Sequence, residues 1–224
     1  KVPRSLQAAS FFSDLSAIIK NKQSWLISIY SGLAFAPISA FAGLWGIPFL
    51  EQTSHFSKSA VVLFVPMTFI GFAIGSPLAG WISDRIKRRK PMMILGTLLG
   101  LLCLSCIIYL PMRSATLLVT LLFFFGFFTS FFFVSFAYMR EINHAQASGT
   151  AIGFINMFNA ICGALSEPII GKLLDLGWDH KFQTGERLFS LVDYRHSLVI
   201  LPLCMVLALI LQLFIKETYC QPKN

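Results

Sequence analysis

Charged side chains are scarce in this sequence. Asp, Glu, Lys and Arg together make up 12% of the 224 residues, whereas 56% are hydrophobic. Soluble domains are typically about 45–50% apolar and about 25% charged, and a domain of this size cannot bury such an excess in one core. A mean hydropathy of +0.72 also excludes a disordered chain. The composition therefore predicts an integral membrane protein.

Cysteines and catalytic motifs are also few. The five cysteines are an odd number and four lie in apolar runs, which excludes a disulfide framework. Cys103 and Cys106 form a CxxC pattern, but thiols inside an apolar segment behave as small hydrophobic side chains. The sequence contains neither an HExxH zinc motif nor a nucleophile elbow. We therefore expect no enzyme, no metal site and no cofactor. The histidines lie far apart in predicted loops: His55, His144, His180 and His196.

Acidic residues are outnumbered, with 10 Asp and Glu against 18 Lys and Arg. In a soluble chain this imbalance would suggest a nucleic-acid partner, but in a membrane protein it sets orientation, because positive loops stay in the cytoplasm. With the N-terminus inside, the inside segments carry 12 of the Lys and Arg residues and the outside segments carry 6. We predict cytoplasmic termini, in a plasma or bacterial inner membrane, and no nucleic-acid partner.

Six apolar segments are long enough to cross the bilayer, which takes about 20 residues of helix. We predict helices rather than strands, because backbone N–H and C=O groups in lipid must find their hydrogen-bond partners within the segment itself. The predicted segments are 25–50, 61–82, 92–110, 115–139, 149–176 and 198–215.

The six segments form one predicted bundle over residues 25–216, followed by a cytoplasmic tail at 217–224. Residues 1–24 are interpreted as the end of a central cytoplasmic loop. Apolar residues from Phe11 to Ile19 favour a short amphipathic helix at the membrane surface, capped by Ser10. A linker without regular structure is the alternative.

The pattern P-x-x-G-x-x-x-D occurs twice, 91 residues apart. An odd number of spans for each copy makes the two copies run in opposite directions, which is typical of secondary transporters. The sequence therefore predicts an all-α membrane bundle built as a 3+3 inverted repeat. The repeated residues are Pro77, Gly80 and Asp84 in the second segment and Pro168, Gly171 and Asp175 in the fifth.

A basic motif follows the first copy of the repeat. A glycine permits close approach of another helix, an aspartate can accept hydrogen bonds from a helix N-terminus, and arginines can bridge carboxylates. The motif is interpreted as a conformational latch, with a simple positive-inside anchor as the alternative. Its residues are Gly80, Asp84, Arg85, Arg88, Arg89 and Lys90.

This motif, the 3+3 layout and the Gly-, Asn- and Pro-containing fifth segment resemble the major facilitator superfamily, and in particular its C-terminal six-helix half. The family's loop signature is matched by Gly80, Asp84, Arg85, Arg89 and Lys90. A full member of the family has twelve helices, whereas this chain has six. The resemblance therefore implies that a second half belongs to the same longer chain or is supplied by a second copy.

The resemblance also implies that the first, second, fourth and fifth segments border a central cavity. The composition agrees with this assignment. The third and sixth segments are apolar on nearly all sides, which is typical of helices that face lipid rather than a polar cavity. Interhelical hydrogen bonding is the alternative role for the polar residues of the cavity-bordering segments. The candidate substrate contacts are Ser39, Thr129, Asn156 and Asn159.

Glu167 is the only acidic residue well inside a predicted segment. A charge there costs about 2.5–3.5 kcal/mol, so two roles stay open: proton coupling, or a structural pair with Lys172. No Lys or Arg lies in the middle of a segment. This favours a neutral or zwitterionic solute, unless the second half supplies cations for an organic anion.

The predicted function is half of a secondary transporter that moves a small solute by alternating access. A membrane sensor or scaffold without transport activity, built on the same fold, is the alternative. A channel is disfavoured because no filter sequence is present.

Overall fold

The computed structural model describes residues 4–179, 182–183 and 186–221. Within these residues, six helical segments are long and apolar enough to cross a membrane, which confirms the predicted fold class. His180 lies outside the described residues, as do three of the lysines counted above for the orientation: Lys1, Lys181 and Lys223. The six spans, numbered first to sixth, are Lys22–Thr53, Lys58–Ile86, Lys90–Tyr109, Ala115–Glu141, Ala145–Gly177 and Leu191–Phe214.

Five of the six spans consist of more than one helix, and the third is a single helix. The first contains a π-helix at Ile38–Trp45, directly after Pro37. Proline has no N–H to donate, so the α-helical ladder loses a bond at that point, and wider turns of this kind are frequent at functional sites. The helices of the six spans are Lys22–Pro37, Ile38–Trp45 and Gly46–Thr53; Lys58–Phe64 and Met67–Ile86; Lys90–Tyr109; Ala115–Thr129, Ser130–Phe133 and Val134–Glu141; Ala145–Ala147 and Ser148–Gly177; and Leu191–Leu198 and Ile200–Phe214.

The predicted bounds agree with the spans to within four residues, except at the start of the sixth. That span begins at Leu191, because Ser190 and Asp193 form a capping box that starts a helix in a polar stretch. His196 was expected in a loop, and that expectation is wrong. The same helix carries Arg195, whose side chain donates to the last carbonyls of the third span.

An N-terminal helix, Arg4–Lys20, precedes the first span. It begins six residues before Ser10, so Ser10 is not its cap. Ile18 is fully buried, whereas Phe12 and Ile19 are exposed. The helix contacts the fifth span along part of its length. A short antiparallel hairpin, Phe182–Gln183 with Glu186–Arg187, joins the fifth and sixth spans.

The contacts between spans repeat in a symmetric way. The second span packs on the fourth and the fifth packs on the first; the third packs on the fourth and the sixth packs on the first. Exchanging each span for the one three places along the chain leaves this pattern unchanged, as an inverted repeat requires. The third and sixth spans contact each other behind the first and fourth. The second and fifth spans are therefore left at the two edges of the bundle.

Glycines permit the closest approaches between spans. A Cβ atom added at Gly126 would lie 1.8 Å from the carbonyl oxygen of Thr68, and one at Gly71 would lie 2.0 Å from that of Phe123. Both contacts join the second and fourth spans. Small residues at such positions let the backbones pack directly, which is how helices associate in lipid.

Candidate functional site

Arg89 is the centre of a charge network at one end of the bundle, called the basic end below. Its side chain is only 8% exposed, and Nη1 lies 2.5 Å from Oδ1 of Asp84 at the end of the second span. Nε and Nη2 donate to Oε1 of Glu141 at 3.0 and 2.6 Å. Since Glu141 ends the fourth span, one guanidinium joins the ends of the second and fourth spans.

The two carboxylates differ greatly in exposure. The side chain of Glu141 is 10% exposed and that of Asp84 is 68% exposed. Burial disfavours the charge on Arg89, but hydrogen bonds to Glu141 and Asp84 outweigh it and raise the pKa of the guanidinium. Arg89 and Glu141 therefore form the buried part of the network, while Asp84 remains accessible to a partner outside this bundle.

The chain after the sixth span closes the network. Glu217 accepts hydrogen bonds from the backbone N–H groups of Arg89, at 2.8 Å, and Lys90, at 3.0 Å. A carboxylate in this position satisfies free donors at the start of the third span and complements its helix dipole. Thr218 donates to Oε2 of Glu141 at 2.5 Å. The tail thereby fixes the third and fourth spans to the end of the sixth.

The other motif residues lie around this network. A Cβ atom added at Gly80 would meet nothing within 4 Å in the part of the chain that the structure describes, so the surface of the helix is open at this position. Arg85 lies over the ring of Trp81 at 5.8 Å. Arg88 lies over the ring of Tyr219 at 5.9 Å.

The second copy of the repeat carries a corresponding ion pair. Asp175, near the end of the fifth span, lies 2.5 Å from Nη1 of Arg187. This pair is at the opposite end of the bundle from Asp84 and Arg89, because the two copies run in opposite directions. Gly171 faces the ring of Trp45, 3.3 Å from an added Cβ. Pro77 and Pro168 are both exposed on their spans.

A polar seam joins the first and fifth spans. Ser31 donates to Oδ1 of Asn159 at 2.8 Å. Ser39, in the π-helix, donates to Oε1 of Glu167 at 3.5 Å. The indole of Trp45 donates to the backbone carbonyl of Glu167 at 3.2 Å. The interrupted part of the first span therefore lies directly beside the acidic residue of the fifth.

Glu167 does not pair with Lys172. Among the residues that the structure describes, no carboxylate lies within 4.0 Å of the Lys172 ammonium. The expected structural pair is wrong. Lys172 lies five residues further along the helix, more than one turn away, and Glu167 instead accepts the hydrogen bond from Ser39.

The four predicted cavity residues lie in different surroundings. Asn156 is exposed on the fifth span, and Ser39 is half-buried beside Glu167. Asn159 is buried and bonded to Ser31, as the interhelical alternative predicted. Thr129 is 2% exposed and packs near Gly100 of the third span. Ser39 and Asn156 are thus the two that are most accessible.

Sequence reasoning missed Glu141, Glu217 and Thr218. Glu141 lies 52 residues from Arg89 along the chain, and Glu217 lies 128 residues from it. The sequence places one of these acidic residues after the fourth apolar segment and the other after the sixth. Only the packing of the second, third, fourth and sixth spans brings both side chains to one arginine.

Comparison with known proteins agrees with this architecture. The sequence matches the family described as "Major Facilitator Superfamily" over residues 5–223. It is 27% identical over 162 residues to the "Membrane sensor protein UhpC" of Escherichia coli, an alignment that covers 70% of this chain and 36% of the relative. It is 29% identical over 168 residues to a "Probable hexose phosphate transport protein" of Chlamydia pneumoniae, covering 72% of this chain and 36% of that protein.

A solved structure has the same fold. The "Inward open conformation of the xylose transporter XylE from E. coli" superposes with a TM-score of 0.68 at 15% identity, covering 87% of this chain and 48% of that one. The chain spans about a third of the length of its curated relatives and about half of this solved transporter. The six-span bundle, the symmetric packing of its two triplets and the family match together show that this chain belongs to the major facilitator superfamily.

Proposed function

We propose that this chain is the C-terminal half of a secondary transporter that works by alternating access against a second six-helix half. The observation that carries the proposal is the two-sided exposed surface of the fifth span. One side is apolar, with Ile161 and Leu165 exposed at 45% and 55%. The other side carries small and polar residues, Gly149, Gly153 and Asn156, all exposed. Polar groups are costly in lipid, so the second side faces the cavity and the other half.

The open environment of Gly80 and the exposed carboxylate of Asp84 support the same arrangement. Both lie on the second span, at the other edge of the bundle from the fifth. Two edge helices with exposed small and polar groups, related by the internal repeat, are what a pseudo-symmetric interface between halves requires.

We further propose that the solute is a small organic phosphate. The observation that supports this is that the relatives include a protein named for hexose phosphate transport. No Lys or Arg lies in the middle of the described spans. Phosphate recognition needs cationic donors, so those donors come from the second half. This choice reverses the expectation of a neutral or zwitterionic solute, which becomes the alternative that the experiment separates.

The test is solute uptake by the full-length protein in proteoliposomes. We expect accumulation of radiolabelled glucose 6-phosphate and none of glucose. Uptake of glucose in preference to its phosphate would overturn the proposed substrate class, and absence of uptake for both would overturn transport of this class. Binding of glucose 6-phosphate without uptake would favour a sensor, the function in the name of the other relative.

A matched pair of variants on the fifth span tests which side faces the cavity. Asn156 and Leu165 are both exposed and flank the buried face of the helix on opposite sides. We expect Asn156→Ala to reduce uptake and Leu165→Ala to leave it unchanged. Equal effects of the two variants would contradict the assignment of the cavity side.

Orientation is tested by labelling. We propose that the basic end is cytoplasmic, because positive loops stay inside. In a background without native cysteines, Lys87→Cys should react only from the inside and Phe56→Cys only from the outside. Reaction of both from the same side would exclude this topology.

A further inference from the structure

A groove of about 500 Å³ runs along the outer side of the third span at the basic end. Arg88 and Lys90 line its head, and Ile94, Leu95 and Leu98 line the part that follows the span. Leu95 and Leu98 are 44% and 42% exposed. From Lys90 to Leu98 the helix rises about 12 Å. The groove is therefore cationic where the span begins and apolar over a length that part of an acyl chain would cover.

The two cations at the head outnumber the single carboxylate, that of Glu217, among the residues that line the groove. Among residues 4–179, 182–183 and 186–221, no acidic side chain forms an ion pair with Arg88 or Lys90. Glu217 also lines the groove, but both of its oxygens already accept backbone N–H groups at the start of the third span. Lys90 donates to the carbonyl of Ile215 at 2.9 Å, which leaves two further N–H donors on its ammonium.

The tail forms one wall of the head. Tyr219 lines the groove and lies against Arg88. Tyr219 and Cys220 have φ angles of 55° and 57°, in the left-handed region that non-glycine residues rarely adopt. Two such residues in succession turn the chain so that the tyrosine ring lies beside the arginine. Aromatic rings of this kind are common at the level of lipid headgroups.

We propose that this groove binds an anionic glycerophospholipid, with its phosphate between Arg88 and Lys90 and one acyl chain along Ile94, Leu95 and Leu98. The charge of the head fits a phosphate, and its position at the start of a membrane span fits the headgroup level of one leaflet. The apolar wall distinguishes a lipid from a free phosphate ion. This inference requires only that the spans lie in a membrane, and does not depend on the proposed transport activity.

The experiment is native mass spectrometry of the purified full-length protein with phosphatidylglycerol or phosphatidylcholine of identical acyl chains. We expect preferential retention of phosphatidylglycerol. Arg88→Gln should lower that retention about fivefold, since one cation near the surface contributes about 1 kcal/mol towards anionic lipid. The matched control, Lys87→Gln, removes the same charge from the neighbouring exposed position outside the groove and should have no effect. Leu95→Trp should fill the apolar part and reduce retention with both cations intact.

Three results would overturn the inference. The first is equal retention of the two lipids by the unmodified protein. The second is equal loss in Arg88→Gln and Lys87→Gln, which would mean that the whole loop attracts anions without a specific site. The third is displacement of bound phosphatidylglycerol by excess inorganic phosphate, which would assign the head to a soluble ion. Where Arg88→Gln does not purify, the lipid preference of the unmodified protein and the effect of Leu95→Trp decide the outcome.

Discussion

Removing Arg89 should destabilise the protein far more than removing Asp84, although the two side chains form one ion pair. Arg89→Gln leaves the carboxylate of Glu141 uncompensated, and that side chain is 10% exposed. Leaving a buried charge without its partner costs about 3–5 kcal/mol. Asp84→Asn removes a carboxylate that is 68% exposed, and exposed ion pairs contribute only about 0.2–1 kcal/mol.

Distance alone does not predict this difference. The contact from Arg89 to Asp84 is 2.5 Å and the one to Glu141 is 2.6 Å, so each gross attraction is about 6 kcal/mol at an effective dielectric constant of about 20. The two pairs differ in how accessible their carboxylates are to water. The exposed carboxylate recovers its hydration when the pair breaks, whereas the buried one does not.

The assay is the unfolding free energy of the full-length protein in detergent micelles. It is measured for Arg89→Gln and Asp84→Asn, and for Arg89→Met, Glu141→Met and the variant that combines these two. We expect each single methionine variant to lose several kcal/mol and the double variant to lose much less than their sum, because it leaves no unpaired buried charge. Arg85→Gln is the control, since Arg85 is exposed and lies over Trp81. Additive losses, or equal effects of Arg89→Gln and Asp84→Asn, would refute the division into a buried and an exposed pair.

Three further predictions concern movement, packing and coupling. Asp84→Asn should reduce transport and shift cysteine accessibility between the two sides of the membrane while abundance stays normal; unchanged accessibility would leave the motif as an orientation signal only. Gly126→Ala should lower the unfolding free energy by about 1–3 kcal/mol because the added methyl group meets the backbone of Thr68, whereas Gly149→Ala, which meets nothing within 4 Å, should not. Glu167→Gln should abolish uptake driven by a proton gradient but retain solute exchange across the membrane; full proton-driven uptake would exclude Glu167 as the coupling residue.

The number of the spans and their arrangement as two triplets could be predicted because they depend on local properties. Each span is a run of apolar residues of bilayer length, and the repeated P-x-x-G-x-x-x-D pattern marks equivalent helices. The early start of the sixth span was also present in the sequence, since Ser190 and Asp193 have capping-box spacing. It was missed because hydropathy alone places the boundary where the apolar run begins.

The composition of the site could be predicted less well, because it depends on which helices pack together. The motif around Arg89 was identified from its residues, but its buried partner Glu141 and the capping residue Glu217 come from distant parts of the chain. The π-helix after Pro37 has no sequence signal beyond the proline itself. Its consequence, the placing of Ser39 beside Glu167, follows from the packing of the first span on the fifth.

The charge network has a fixed side and an open side, and this division fits a bundle that moves as one body. Arg89, Glu141 and Glu217 join the third and fourth spans to the tail through buried or backbone contacts, and such contacts do not adjust continuously. Within this network, Asp84 is the carboxylate that is largely exposed, and it lies at the edge of the bundle. Under the proposed alternating access, the contacts inside this half stay the same, and the partner of Asp84 changes between states. The energy that separates those states therefore depends on an exposed charge, which a single substitution can shift without unfolding the half that carries it.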